Sequence, residues 1–74
     1  MNPLIELNPQ VCNGRPVVRG TRISIETILT YLSAGDTVED ILITHPGLTR
    51  ESILACLDYA RCLSAAHSTV RLAS

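Results

Sequence analysis

The stretch that decides the fold is SIETILTYL, residues 24–32. Its large aliphatic residues stand at i, i+3, i+4 and i+7, the spacing of one helix face: Ile25, Ile28, Leu29 and Leu32. Ser24 suits the N-cap, because its hydroxyl can accept a hydrogen bond from an amide of the first turn. Gly35 suits the left-handed residue that follows many helices. The spacing therefore predicts a first helix over residues 25–34.

Two more helices are predicted on the C-terminal side of this stretch. Thr37 and Asp40 have the spacing of a capping box, and Pro46 disfavours helix at the residue before it, which predicts helix two over residues 38–44. Thr49 is the cap expected for a third helix that runs to about residue 66. Its apolar set, again at helical spacing, is Ile53, Leu57, Ala60 and Leu63, with Cys56 alongside. The short turn between helices two and three is typical of a helix-turn-helix unit.

The residues before Ser24 read as an arm of turns and short strands. Residues 4–7 and 17–18 are β-capable, while Asn13-Gly14 and Gly20 favour tight turns with positive φ. A lone two-stranded hairpin is marginal in water, so the arm must pack on the helices or pair with a second copy of itself.

These elements predict a mainly α fold in a single domain. We expect a three-helix, homeodomain-like helix-turn-helix bundle with a short N-terminal β arm or hairpin. Its parts are the arm (1–24), the helical core (25–66) and a tail without clear periodicity (67–74).

Composition limits the protein classes that the chain can belong to. The 74 residues are 46% hydrophobic and 18% charged, with no Phe or Trp and a net charge of −1. Such a chain is too apolar to be disordered and too short to hold separate cofactor and substrate domains. Its aliphatic excess predicts a homodimer. It has no apolar run of membrane-spanning length. Three cysteines and no signal-peptide pattern in residues 1–8 favour free thiols in the cytoplasm.

Motifs for catalysis, cofactors and metals are not found in the sequence. We see no Gly-rich phosphate loop, no nucleophile elbow and no carboxylate pair with a waiting base, so we expect neither an enzyme nor a cofactor. The five available Cys and His residues contain no C-x₂₋₄-C spacing, and no structural zinc is expected.

Charge is distributed unevenly along the chain. The arm carries a net charge of +2, whereas residues 25–48 carry −4. Four arginines are candidates for contacts to DNA phosphates or bases: Arg15, Arg19 and Arg22 of the arm, and Arg50 in the first turn of helix three. The alternative is that they cap turns and pair with nearby acids, and both interpretations stay open.

The most distinctive stretch is CNGRPVVRGTRI, residues 12–23. It resembles the signature of the domain-of-unknown-function 433 family, approximately C-x-G-[KR]-P-x-[IV]-[RK]-G-T-R-[IV]. A Gly, an acidic helix start, a Pro and a Leu-Thr helix start follow in the family's order, so the resemblance covers about residues 4–66. The signature residues expected to have structural roles are Gly14, Pro16, Gly20 and Thr21.

The resemblance implies a function. Members of that family resemble helix-turn-helix modules and are often regarded as antitoxins encoded beside a PIN-like ribonuclease toxin. By that analogy the chain would bind and neutralise the toxin and repress its own operon by binding operator DNA. The alternative is a homodimeric protein-interaction module with no nucleic-acid role, which the acidic middle of the chain favours.

Overall fold

The chain forms three helices and a short N-terminal hairpin. The computed structural model describes residues 2–66, and the predicted tail (67–74) lies outside them. The elements are β1 (Ile5–Glu6), a 3₁₀ turn (Cys12–Gly14), β2 (Val17–Val18), α1 (Ile25–Ser33), α2 (Val38–Thr44) and α3 (Arg50–Ala66). The predicted class, mainly α with a short N-terminal hairpin, is confirmed.

The hairpin buries its apolar side chains against the helices. The strands β1 and β2 are antiparallel, with Ile5 opposite Val18. On its other side Val17 bridges to Ser24, so the chain turns directly from β2 into α1. The side chains of Ile5, Val17 and Val18 are all buried. Packing on the helices supplies the stability that an isolated hairpin lacks.

The helix ends are formed by the residues that the sequence indicates. The Ser24 hydroxyl accepts a hydrogen bond from the Thr27 amide at 3.1 Å at the start of α1. At the start of α2, Thr37 and Asp40 form a reciprocal capping box with N···O distances of 3.0 and 3.1 Å. The hydrogen bond from the Thr37 amide holds the pKa of the Asp40 carboxyl below its usual value.

The core is aliphatic and is shared among the elements. Its buried members contact partly buried residues of α1, α2 and α3, so no helix has a core of its own. The buried cluster consists of Ile5, Val18, Ile25, Ile28, Ile41, Leu48, Ile53, Ala55 and Cys56. Within residues 2–66, every buried side-chain nitrogen or oxygen has a hydrogen-bond partner.

The third helix buries only part of its predicted apolar set. Ile53 and Cys56 are buried, whereas Leu57 and Leu63 have 40% and 48% of their surfaces exposed. The buried residues of α3 lie in its first half and include Ser52 and Ala55. Leu63 is exposed because α3 spans 17 residues and its buried residues end at Cys56. Leu57 is next to Cys56 but lies on the side of the helix that faces away from the core. Within the described part of the chain, no helix is both long and apolar enough to cross a membrane.

Burial of the Cys56 thiol predicts a loss of stability at alkaline pH. Desolvation raises its pKa from 9.0 to about 11. Above pH 9 the unfolded chain releases this proton while the folded chain keeps it, so rising pH favours unfolding. Between pH 9 and 11 the free energy of unfolding of the wild type should fall by up to about 1.4 kcal/mol per pH unit more than that of Cys56→Ala. Urea denaturation across this range measures the difference, and parallel slopes would contradict the assignment.

Candidate functional site

Arg19 connects the two ends of the hairpin. Its guanidinium Nε donates a hydrogen bond to the Pro3 carbonyl at 2.6 Å, and its backbone amide donates to the Leu4 carbonyl at 2.8 Å. Both contacts hold the residues before β1 against the end of β2. The arginine therefore has a structural role that requires no external partner.

Thr21 closes the turn that follows β2. Its hydroxyl donates to the Val18 carbonyl at 2.8 Å and accepts from the Ile23 amide at 3.0 Å. Gly20, just before it, has a φ of 81°, a value that residues with a Cβ rarely adopt. The Gly-Thr pair of the signature thus fixes the path from β2 to α1.

The first half of the signature forms another turn. Gly14 has a φ of 80°, and its amide donates to the Val11 carbonyl at 3.0 Å. The Pro16 carbonyl accepts from the Ile25 amide at 3.0 Å, which fixes the start of α1 next to β2. The structure therefore gives all four signature residues positions in the backbone turns around β2.

Two of the candidate DNA-binding arginines are paired with acids of the chain. Arg15 contacts Glu26 of α1, with Nη1 3.0 Å from Oε1. Arg50 pairs with Glu39 of α2, and its hydrogen bond holds the pKa of the Glu39 carboxyl below the usual value. Both pairs are exposed, so each contributes little to stability. The positive charges of Arg15 and Arg50, which DNA phosphates would neutralise, are therefore already partly compensated by carboxylates of the chain.

Arg22 lies in the turn after Gly20 and is exposed. The structure thus brings Arg15, Arg19 and Arg22 into the turns around β2, while Arg50 lies on the helix-turn-helix pair with Glu39. Within residues 2–66, no group of three or more His, Cys, Asp or Glu residues is arranged to hold a metal ion.

The second half of α3 provides a surface that the sequence analysis missed. An open groove of about 380 Å³ lies between this half of the helix and the start of the chain. We call it the α3 groove, and it is lined by Asn2, Asp58, Tyr59, Cys62 and Leu63. The apolar periodicity of α3 was the available signal. The lengths of the other elements, which are too short to cover 17 residues of helix, indicate that part of this apolar set stays exposed.

The basic charge next to the α3 groove belongs to Arg61. Its Nε donates to the Asp58 carboxylate at 3.1 Å, and this hydrogen bond raises the pKa of the guanidinium. The Cys62 sulfur lies 3.5 Å from Nη2 of the same arginine. The groove therefore has an apolar floor with one compensated ion pair at its edge.

Comparisons with known proteins agree on one family. The family model described as "Protein of unknown function (DUF433)" matches residues 5–60. The uncharacterized protein y4eO of Sinorhizobium fredii (strain NBRC 101917 / NGR234) is 35% identical over 57 residues, which are 77% of this chain and 26% of that protein. The chain thus spans about a quarter of the length of this relative.

A solved structure shares the fold. It is the crystal structure of a DUF433 member protein from Anabaena variabilis ATCC 29413, which is 34% identical to this chain with a TM-score of 0.76. The match covers 78% of this chain and 57% of that one.

The two hydrogen bonds of the Thr21 hydroxyl predict a specific loss of stability. Thr21→Val keeps the shape but leaves the Ile23 amide without its acceptor, and should lower the free energy of unfolding by about 1–2 kcal/mol. Thr30→Val is the matched control, because its hydroxyl only donates to the Glu26 carbonyl on the exposed surface of α1. It should change stability by less than about 0.5 kcal/mol. Equal losses in urea denaturation would show that the turn does not depend on Thr21.

Proposed function

The chain belongs to the DUF433 family of proteins of unknown function, and from this premise we propose that it is a protein-binding module of the antitoxin type. The observation that carries the proposal is the α3 groove, an open apolar surface in a chain whose signature residues serve the hairpin. Protein partners anchor on such surfaces through buried aromatic and aliphatic side chains.

The shape and lining of the α3 groove favour an apolar side chain from a partner protein. Tyr59 and Leu63 supply hydrophobic area, and 48% of Leu63 is still exposed without a partner. Asn2 and Asp58 add polar groups at the edge, which matches the apolar centre and polar rim of protein interfaces. Occupation of the groove would remove apolar surface from water, and that burial supplies the binding free energy.

The partner proposed for the groove is a PIN-like ribonuclease encoded beside the chain. The family resemblance suggests this partner, and binding at the groove would silence it. A cytoplasmic location fits the proposal, because the thiols of Cys56 and Cys62 are free and would stay reduced there.

The test is inhibition of the PIN-like ribonuclease from the adjacent reading frame. Adding the chain should suppress its cleavage of single-stranded RNA, and Leu63→Glu should weaken this inhibition about tenfold or more. Leu57→Glu is the matched control, since Leu57 is similarly exposed on α3 but does not line the groove, and should inhibit like the wild type. Unchanged cleavage with the wild type, or equal losses in the two variants, would contradict the proposal.

Operator DNA is a second candidate partner, favoured by the position of Arg50. This residue begins α3, the second helix of the helix-turn-helix pair, where such proteins present side chains to DNA. Its side chain remains 53% exposed despite the pair with Glu39. The Glu39 carboxylate would compete with a phosphate for the same guanidinium, so weak and salt-sensitive binding is expected.

Two substitutions that each remove a charge test DNA binding. The DNA is a duplex from upstream of the chain's own reading frame. Arg50→Gln should abolish the retardation of this duplex in a gel at low salt. Glu39→Gln should increase retardation, because it frees the Arg50 charge without changing the size of residue 39. Absence of retardation with the wild type, or identical behaviour of all three proteins, would exclude this role.

A further inference from the structure

The connection between the two strands of the hairpin contains an asparagine followed by a glycine, Asn13-Gly14. A glycine nitrogen can attack the preceding asparagine side chain with little hindrance, because glycine has no Cβ and rotates freely. The chain has two further asparagines, Asn2 and Asn8, and each is followed by a proline, which has no N–H to lose. Asn13 is therefore the one asparagine of the sequence whose following amide can act as a nucleophile.

The reaction open to this pair is ring closure followed by hydrolysis. The deprotonated Gly14 nitrogen attacks Cγ of Asn13, so that a C–N bond forms, the bond from Cγ to Nδ2 breaks, and ammonia leaves with the proton. Water then opens the five-membered succinimide ring at one of its two carbonyls. One opening leaves aspartate at position 13. The other leaves isoaspartate, in which the main chain runs through the side-chain carbons and is one CH₂ group longer.

The folded turn keeps the reacting atoms apart. Asn13 is in the left-handed region, with a φ of 56° and a ψ of 35°. At this ψ its Cβ and the Gly14 nitrogen lie on nearly opposite sides of the Cα–C bond, whereas the ring requires them on the same side. The Gly14 amide also donates a hydrogen bond to the Val11 carbonyl at 3.0 Å, which holds the proton that the attacking nitrogen must lose. Ring closure therefore requires the turn to open.

The chain is held on both sides of this turn. Before it, the Val11 amide donates a hydrogen bond to the Asn8 carbonyl at 2.9 Å, and after it the Pro16 carbonyl accepts one from the Ile25 amide at 3.0 Å. A rotation at Asn13 large enough for ring closure therefore disturbs contacts on both sides, including the one that joins the hairpin to α1. Asn13 itself is exposed, so water reaches the ring once it has formed.

From this geometry we propose that Asn13 is a site of spontaneous backbone modification, which the closed turn protects and which opening of the hairpin exposes. The loss of ammonia is irreversible, so the modification accumulates with the time that the hairpin has spent open. The isoaspartate product has a longer main chain and loses the geometry of the hydrogen bond from Gly14 to Val11. This inference does not rest on the proposed function, because it involves neither the α3 groove nor Arg50.

The rate of modification in the folded and the unfolded chain tests the protection. The protein is incubated at mildly alkaline pH with and without guanidinium chloride, and tandem mass spectrometry of its N-terminal peptide follows replacement of amide by carboxyl groups. In guanidinium chloride residue 13 should be modified, while residues 2 and 8 stay unchanged. In buffer the rate should be at least about tenfold lower, because only the open fraction reacts. Equal rates, or an unmodified residue 13 in guanidinium chloride, would overturn the proposal.

A destabilised hairpin tests whether its opening sets the rate. Thr21→Val removes hydrogen bonds of the turn after β2 and leaves the Asn13-Gly14 pair intact. It should raise the rate in buffer by about fivefold or more, since a loss of 1–2 kcal/mol enlarges the open fraction by that factor. The rate in guanidinium chloride should not change. An unchanged rate in buffer would contradict control by opening of the hairpin.

Two substitutions at residue 13 separate the covalent change from its charge. Asn13→Gly keeps a positive φ accessible but removes Cγ, so it should stay folded and gain no carboxyl group at this position in guanidinium chloride. Asn13→Asp carries the charge of the product on an unaltered main chain. The isoaspartate form, isolated from aged protein by chromatography, should unfold at a lower guanidinium chloride concentration than Asn13→Asp. Equal midpoints would show that the longer main chain does not weaken the turn.

Discussion

The packing of the N-terminal hairpin against α1 and α3 is the interaction on which the rest of the structure depends. Ile5 and Val18 of the hairpin belong to the same buried cluster as Ile53 and Cys56 of α3. A chain without Phe or Trp must build its core from aliphatic side chains, and each of these buries only a modest area. Losing the hairpin would therefore expose one face of both helices at once.

The contacts of the signature follow from that requirement. Arg19 and Thr21 connect the strands and close the turn into α1, so their polar groups hold the apolar side chains of the hairpin in position. A distinctive sequence motif can thus serve the fold alone. The contacts of Arg15 with Glu26 and of Arg19 with the Pro3 carbonyl account for these two arginines without DNA, while α3 provides exposed apolar surface.

Local rules predicted most of the fold from the sequence, but they failed on α3. Caps and breakers act within a few residues, so Thr37, Asp40 and Pro46 were enough to predict the limits of α2. Which residues of α3 are buried depends on where the other elements pack along and around the helix, and that is a property of the whole chain. The sequence therefore did not predict the exposure of Leu57 and Leu63 or the α3 groove. The antitoxin, DNA and dimer interpretations stay predictions.

The central claim is that the hairpin signature serves the fold while the α3 groove binds a protein partner. Titration of the ¹⁵N-labelled chain with the PIN-like ribonuclease from the adjacent reading frame tests it directly in amide NMR spectra. We expect shifts for residues 58–63, with constant shifts for residues 15–22. Shifts centred on residues 15–22, with constant signals along α3, would contradict it.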